Sequence, residues 1–203
     1  MTPAPDLRGR IMQSHLDVVP EVLAEMCTDA HYSGKVEGDW MFGRGATEMK
    51  AVGNLFALDA LRRIGLQPAA TVDMQSVVEE EPTGNGALQT FLEGCTADAV
   101  LIPKPEDEKL VRANTGVLWF QVVLRAAAHE AAISAPLKSF TMAGYLDAWV
   151  YALYNRIPAL CYGVISRNIH GIDECVNLPS VIRITQAMPL FITERCGVKE
   201  EYA

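Results

Sequence analysis

The stretch TVDMQSVVEEEPTGNGALQTFL, residues 71–92, decides the fold class. Thr71 to Val78 is rich in β-formers and reads as a strand, and Gly84 to Leu92 reads as a helix. Between them stand three consecutive carboxylates, Glu79, Glu80 and Glu81. Three like charges in a row repel, so a solvated rim and a catalytic rim are the competing readings. In an extended segment adjacent side chains point to opposite sides, which lets Glu81 bind a metal while Glu80 faces a water molecule.

Further strands and helices alternate on either side of this unit. Arg10–Gln13 leads into SHLDVVP, a short strand ending in a loop at Pro20, and VEGDWMF (36–42) is hairpin-like. After GRGATEMK comes a helix from Ala51 to Ile64, closed by Gly65, with Val52, Leu55, Phe56, Ala60 and Ile64 recurring at helical spacing. Ala99–Ile102 is a buried strand stopped by Pro103 and Pro105. Val117–Leu124 is another strand, followed by an alanine-rich stretch from Ala126 to Ala135. Leu146–Tyr154 is strand or helix, Ala159–Tyr162 a short strand, and Ser180–Cys196 an amphipathic helix despite Pro189. The alternation predicts an α/β fold with a mostly parallel sheet, as a single domain over 1–203.

The chain of 203 residues is half hydrophobic and carries a net charge of −8. That balance excludes a nucleic-acid or anionic-membrane surface, since phosphate binding needs clustered Lys and Arg. A small molecule or a cation is the expected partner. Five cysteines, without any CxxC pair, indicate neither a disulfide framework nor a thiolate zinc site. With no apolar leader and no run approaching the roughly 20 residues of a membrane span, the expected location is the cytoplasm.

In an open α/β sheet, ligands bind beyond the carboxyl ends of the strands. The polar residues at such ends are His15 and Asp17, then Glu48, then Glu79–Glu81, and near the C-terminus His170, Asp173 and Glu174. Two histidines and several carboxylates form a nitrogen/oxygen donor set suited to zinc, cobalt or manganese. The HxD spacing places His15 and Asp17 on one side of an extended segment, so that the carboxylate can orient the imidazole.

The ordered motifs SHLDVVP, GRGATEMK, EEEPTGNGA, DAVLIPKP and NIHGIDECV resemble the zinc-dependent family of acetylornithine deacetylases, succinyl-diaminopimelate desuccinylases, aminoacylases and glutamate carboxypeptidases. The resemblance covers nearly the whole chain. It implies a three-layer sandwich of the zinc-exopeptidase type, holding one or two Zn²⁺ (or Co²⁺ or Mn²⁺) ions. Carried over by position, His15 ligates one metal and Glu81 and His170 the other, with Glu48 bridging both. The catalytic pair is Glu80 as general base and Asp17 as orienter of His15. Arg167 and Asn168 either contact a substrate carboxylate or belong to the surface.

Three departures from the family pattern stand out. Glu48 occupies a position that is normally Asp, which moves the carboxylate by roughly 1.5 Å. Lys104 replaces the remaining carboxylate ligand before Pro105, and an ammonium cannot ligate a metal. The site built on His15, Glu48 and position 104 is therefore expected to be weakened or empty, with Lys104 placing its own cation among the carboxylates. Lastly, the chain resembles a truncated catalytic domain, opening almost at the first motif, with 117–138 as the remnant of a lid and dimerisation domain. His129, in that remnant, resembles the start of the lid segment. The implied function is metal-dependent hydrolysis of the amide of an N-acyl amino acid, the alternative being an impaired relative that binds metal or a partner without turnover. The oligomeric state is left open.

Overall fold

Strand β1 (Arg10–His15) lies inside a six-stranded sheet, and its side chains alternate between two separate cores. The computed structural model describes residues 9–48, 52–114, 138–142 and 146–200. The expected strand Val117–Leu124, the lid remnant and His129 lie outside them. Met12 packs into one core with Ala57, Leu61, Ile184, Met188 and Ile192, while Ile11 packs into the other with Ala87, Val100, Val150 and Tyr151. Leu101 joins the first core and its neighbours Val100 and Ile102 the second, as the two-residue period of a doubly covered strand requires. This is the expected three-layer α/β/α arrangement.

The other strands of this sheet are β5 (Val72–Val77), β6 (Ala99–Ile102), β7 (Lys109–Asn114), β8 (Lys138–Met142) and β9 (Ala159–Cys161). Their order is β5-β1-β6-β9-β7-β8. Pairing is parallel throughout except between β7 and β9, so β7 and β8 run against the other four strands. Helix α1 (Val52–Arg63) covers one face together with the long C-terminal helix Leu178–Cys196. Helix α2 (Asn85–Leu92) and the helical stretch starting with α3 (Ala148–Val150), which continues as a π-turn over Tyr151–Asn155, cover the other. The open choice at Leu146–Tyr154 thus resolves as helix.

The C-terminal helix, α4, starts cleanly, with the Asn177 side chain accepting from the Ser180 N–H at 3.0 Å. Ile184, Met188, Ile192 and Cys196 recur every four residues on its buried face. In α1 the expected stripe differs. Leu55, Phe56 and Ile64 are 57%, 52% and 69% exposed, and the helix is anchored by Ala57 and Leu61 instead.

A second, antiparallel sheet holds β2 (Val36–Glu37), β3 (Trp40–Phe42), β10 (Ser166–Arg167) and β11 (Cys175–Asn177), in the order β10-β11-β3-β2. Strands β4 (Leu66–Pro68) and β12 (Val198–Glu200) form a small ribbon. Among the described residues, no helix is long and apolar enough to cross a membrane.

Candidate metal centre

Register explains why distant residues meet. Beside β1, strand β5 pairs in register so that His15 faces Val77, and β6 pairs so that Met12 faces Leu101. The three strands therefore end side by side, and the loops leaving them carry His15 and Asp17, Glu80 and Glu81, and Lys104. The small sheet delivers the rest. Phe42 pairs with Cys175 and Arg167 pairs with the same residue, so the loops 43–48 and 168–174 leave from neighbouring points. They bring Glu48 and His170.

Glu48 stands at the junction. Its Oε2 lies 3.2 Å from His15 Nε2 and its Oε1 lies 2.9 Å from His170 Nε2. His170 Nε2 also sits 3.1 Å from Glu81 Oε1, and His15 Nε2 sits 3.8 Å from Glu80 Oε2. Asp17 ties the strand ends together. Its Oδ1 is 3.2 Å from His15 Nδ1, and its Oδ2 accepts from the Glu81 N–H at 3.2 Å. His15, Glu48 and Glu80 are buried, whereas the His170 side chain is 39% exposed and provides the open side.

The glutamate run is not extended, as the sequence reading assumed. Glu79 adopts φ 61°, and the chain turns at once, with the Gly84 N–H donating to the Glu79 carbonyl at 2.7 Å. Thr83 Oγ1 and Asn85 Nδ2 donate to the exposed Glu79 carboxylate, at 3.1 and 3.4 Å. Glu80 and Glu81 turn inward, whereas Glu79 forms a solvated rim.

Lys104 is buried, and its Nζ donates to Glu80 Oε1 at 2.7 Å. Burial alone pulls this ammonium down, but the charge and hydrogen bond of Glu80 pull harder and raise it, so it stays cationic. Burial likewise pulls the Glu48 carboxyl up, and the hydrogen bonds from His15 and His170, with the Lys104 charge, hold it far below the usual carboxylate range. His170 is pushed up to about 10 by Glu48 and Glu81. His15 ends above its ordinary value because Glu48 and Glu80 outweigh its burial.

Three side chains, Arg44, Thr47 and Glu174, hold the two small-sheet loops together. Arg44 Nη1 donates to Glu174 Oε2 at 2.6 Å, both side chains 2% exposed, and Arg44 Nη2 donates to the Gly171 carbonyl at 3.1 Å. Thr47 Oγ1 donates to Glu174 Oε1 at 2.6 Å, next door to Glu48. Asp173 accepts from Thr28 through both carboxylate oxygens at 2.8 Å. Sequence reasoning collected Asp173 and Glu174 but passed over Arg44 and Thr47. Two signals were available: an arginine between glycines, and an acid abutting the apolar pair Cys175–Val176. Arg167 is stacked over Trp40, 4.0 Å from the ring centroid, and Asn168 is exposed with φ 53°.

The donors fit a divalent cation. His15 Nε2 and Glu48 Oε2 are buried and face each other at 3.2 Å, and neither has a well-aligned hydrogen-bond partner beyond this imidazole–carboxylate contact, a costly arrangement unless something else satisfies them. Two ligands at zinc distance and tetrahedral angle stand about 3.3 Å apart, and the pairs around Glu48 stand 2.9 to 3.2 Å apart. Two trios, Glu48–Glu81–His170 and His15–Glu80–Glu81, bring ligand atoms within 4.8 Å of one another.

Comparison with known proteins points the same way. A model of the family described as "Peptidase family M20/M25/M40" matches residues 11–194. Aminoacylase-1 from Dictyostelium discoideum is 36% identical over 85 residues, which is 40% of this chain and 21% of that protein, so the chain matches about a fifth of that relative's length. The di-peptidase Dug1p from Saccharomyces cerevisiae superposes with a TM-score of 0.75 at 9% identity, covering 97% of this chain and 81% of that one. The metallo-carboxypeptidase Sso-CP2 from Sulfolobus solfataricus superposes with a TM-score of 0.67 at 10% identity, covering 95% and 85%. At such identities the superpositions show the fold alone.

Proposed function

Because the chain belongs to the peptidase family M20/M25/M40, we propose that it is a metal-dependent hydrolase that cleaves the amide of a small N-acyl amino acid or dipeptide-like substrate. The observation that carries this reading is the Glu48 carboxylate, held between two imidazoles from separate sheets at 3.2 and 2.9 Å, with Glu80 beside it. Glu48, Glu81 and His170 would hold one cation, and His15 with Glu48 would offer ligands to a second. A divalent cation bound there lowers the pKa of a water molecule and polarises a substrate carbonyl.

The remaining work falls to the chain. Glu80 takes the proton of the attacking water at Oε2, since Lys104 engages Oε1, and passes it to the departing amine nitrogen. Asp17 holds His15 in orientation through Nδ1 and fixes the Glu81 backbone. Arg167 and Asn168, exposed and just ahead of His170, suit contact with a substrate carboxylate. Five free thiols agree with a reducing cytoplasm as the place of work.

Hydrolysis of N-acetyl and N-formyl amino acids and of dipeptides, with Zn²⁺, Co²⁺ or Mn²⁺ added, tests the proposal. Turnover is expected in the wild type, and Glu80→Gln should lower kcat by at least 10²-fold with bound metal unchanged. The 2.7 Å contact of Lys104 with Glu80 favours a second reading, a protein that binds metal without turnover. Stoichiometric metal with no hydrolysis of any of these substrates would select that reading and reject the first.

A further inference from the structure

The two ligand trios share Glu81 but differ in what else reaches them. Lys104 enters the one containing Glu80, its Nζ 2.7 Å from the carboxylate and its side chain 6% exposed. Nothing about this placement is casual. The Lys104 N–H donates to the Ile102 carbonyl at 2.8 Å, and Gly163 passes so close that a Cβ there would meet the Lys104 carbonyl at 2.0 Å. The loop can present its ammonium in this place because position 163 has no side chain.

A second divalent cation on His15 and Glu80 would have to sit beside that ammonium in an interior that screens poorly. Four carboxylates, Asp17, Glu48, Glu80 and Glu81, converge here with one ammonium. A single divalent cation then leaves the cluster at −1, whereas a second would bring it to +1 and would itself stand against the Lys104 ammonium. We propose that Lys104 is a tethered cation standing in for a second metal, so that the chain binds one divalent cation, on Glu48, Glu81 and His170. The inference rests on the metal-dependent reading above. His15 becomes a positioning residue, steering Glu48 through Oε2 and leaving Oε1 for the metal.

Equilibrium dialysis of the full chain against Zn²⁺ or Co²⁺, with bound metal counted by atomic emission, tests the assignment without any assay of activity. One equivalent is expected, lost in His170→Ala and retained in His15→Ala. Lys104→Glu should take up two. Because Lys104→Glu adds a carboxylate to a buried acidic cluster, Lys104→Met is dialysed beside it, folding being checked by circular dichroism. Removing the charge should tighten uptake of a second equivalent at least tenfold over wild type. Two equivalents in the wild type, one equivalent lost only in His15→Ala, or no tightening in a folded Lys104→Met would each overturn the proposal and leave the hydrolase reading intact. No metal in the wild type would overturn both.

Discussion

At the scale of the residue, charge does most of the work around Glu48, and a separate cost, that of burying a carboxyl, appears at Glu106, two residues from Lys104. Glu106 is buried, and burial pushes its carboxyl up to about 7, only partly opposed by the Lys104 ammonium. A carboxyl whose folded pKa lies above its unfolded one holds its proton longer when folded, so stability is fullest below about pH 4.5 and falls as the pH rises towards 7. Glu106→Gln removes this loss. The variant should match the wild type near pH 4 and exceed it by about 3 kcal/mol at pH 8, read from urea midpoints at the two pH values. An equal gain at both would mean that packing, not titration, sets the cost. The residues of the site were legible to unequal degrees. His15 and the Glu79–Glu81 run follow apolar runs, where a sequence displays them, and Glu48 and His170 were read from the motifs GRGATEMK and NIHGIDECV. The role of Arg44 could not be read, because its partner Glu174 lies 130 residues away. Lys104 was expected among the carboxylates, but Glu80 as its partner could not be read, since only the registers of β5 and β6 on either side of β1 bring their loops together.

At the scale of the element, the glutamate turn is shaped by the helix that follows it. The first turn of α2 presses on the end of β5, where a Cβ on Gly86 would meet the Val78 carbonyl at 2.0 Å and Val77 Cβ at 2.9 Å. Gly86→Ala must displace one of them, and both lead directly into Glu79–Glu81. Overpacking of this kind costs about 1–3 kcal/mol, and here the displacement reaches the site as well. Chemical denaturation should show that loss, and dialysis should show weaker metal binding. Wild-type values for both would mean that the turn is held by something other than this contact. Elements of this sort differ in how far a sequence reveals them. Strands β1, β5, β6 and β9 and the helices over 85–92 and 178–196 carry strong periods and were read within a few residues. The edge pair β7 and β8 was not, because KLVRAN neither alternates strictly nor forms a continuous apolar run, and its strand state depends on Cys161 and on residues 138–142. In α1 the sequence offers two apolar stripes, and packing against α4 selected Ala57 and Leu61 over Leu55 and Phe56.

At the scale of the molecule, the centre joins two sheets. Glu48 and His170 come from loops of the four-stranded sheet, while His15, Glu80 and Glu81 follow strands of the six-stranded one. The Arg44–Glu174 ion pair fastens the two small-sheet loops to each other and leaves the large sheet untouched. Imidazole–carboxylate contacts cross between the sheets, His15 with Glu48 and His170 with Glu81. A cation coordinated by Glu48, Glu81 and His170 binds both sheets at once. Such a ligand is absent from the unfolded chain, so its binding free energy adds to folding: about 2.7 kcal/mol when free metal is a hundredfold above Kd. For a chain of this size each kcal/mol moves Tm by about 2–4 °C, which predicts a rise of about 5–11 °C on loading. Scanning calorimetry with Zn²⁺ and then with excess chelator should show the rise and its reversal, and His170→Ala should abolish it while Arg167→Ala keeps it. If metal binds stoichiometrically but Tm stays fixed, the unfolded chain binds the cation as well as the folded one does, and the site is not one that folding assembles from the two sheets.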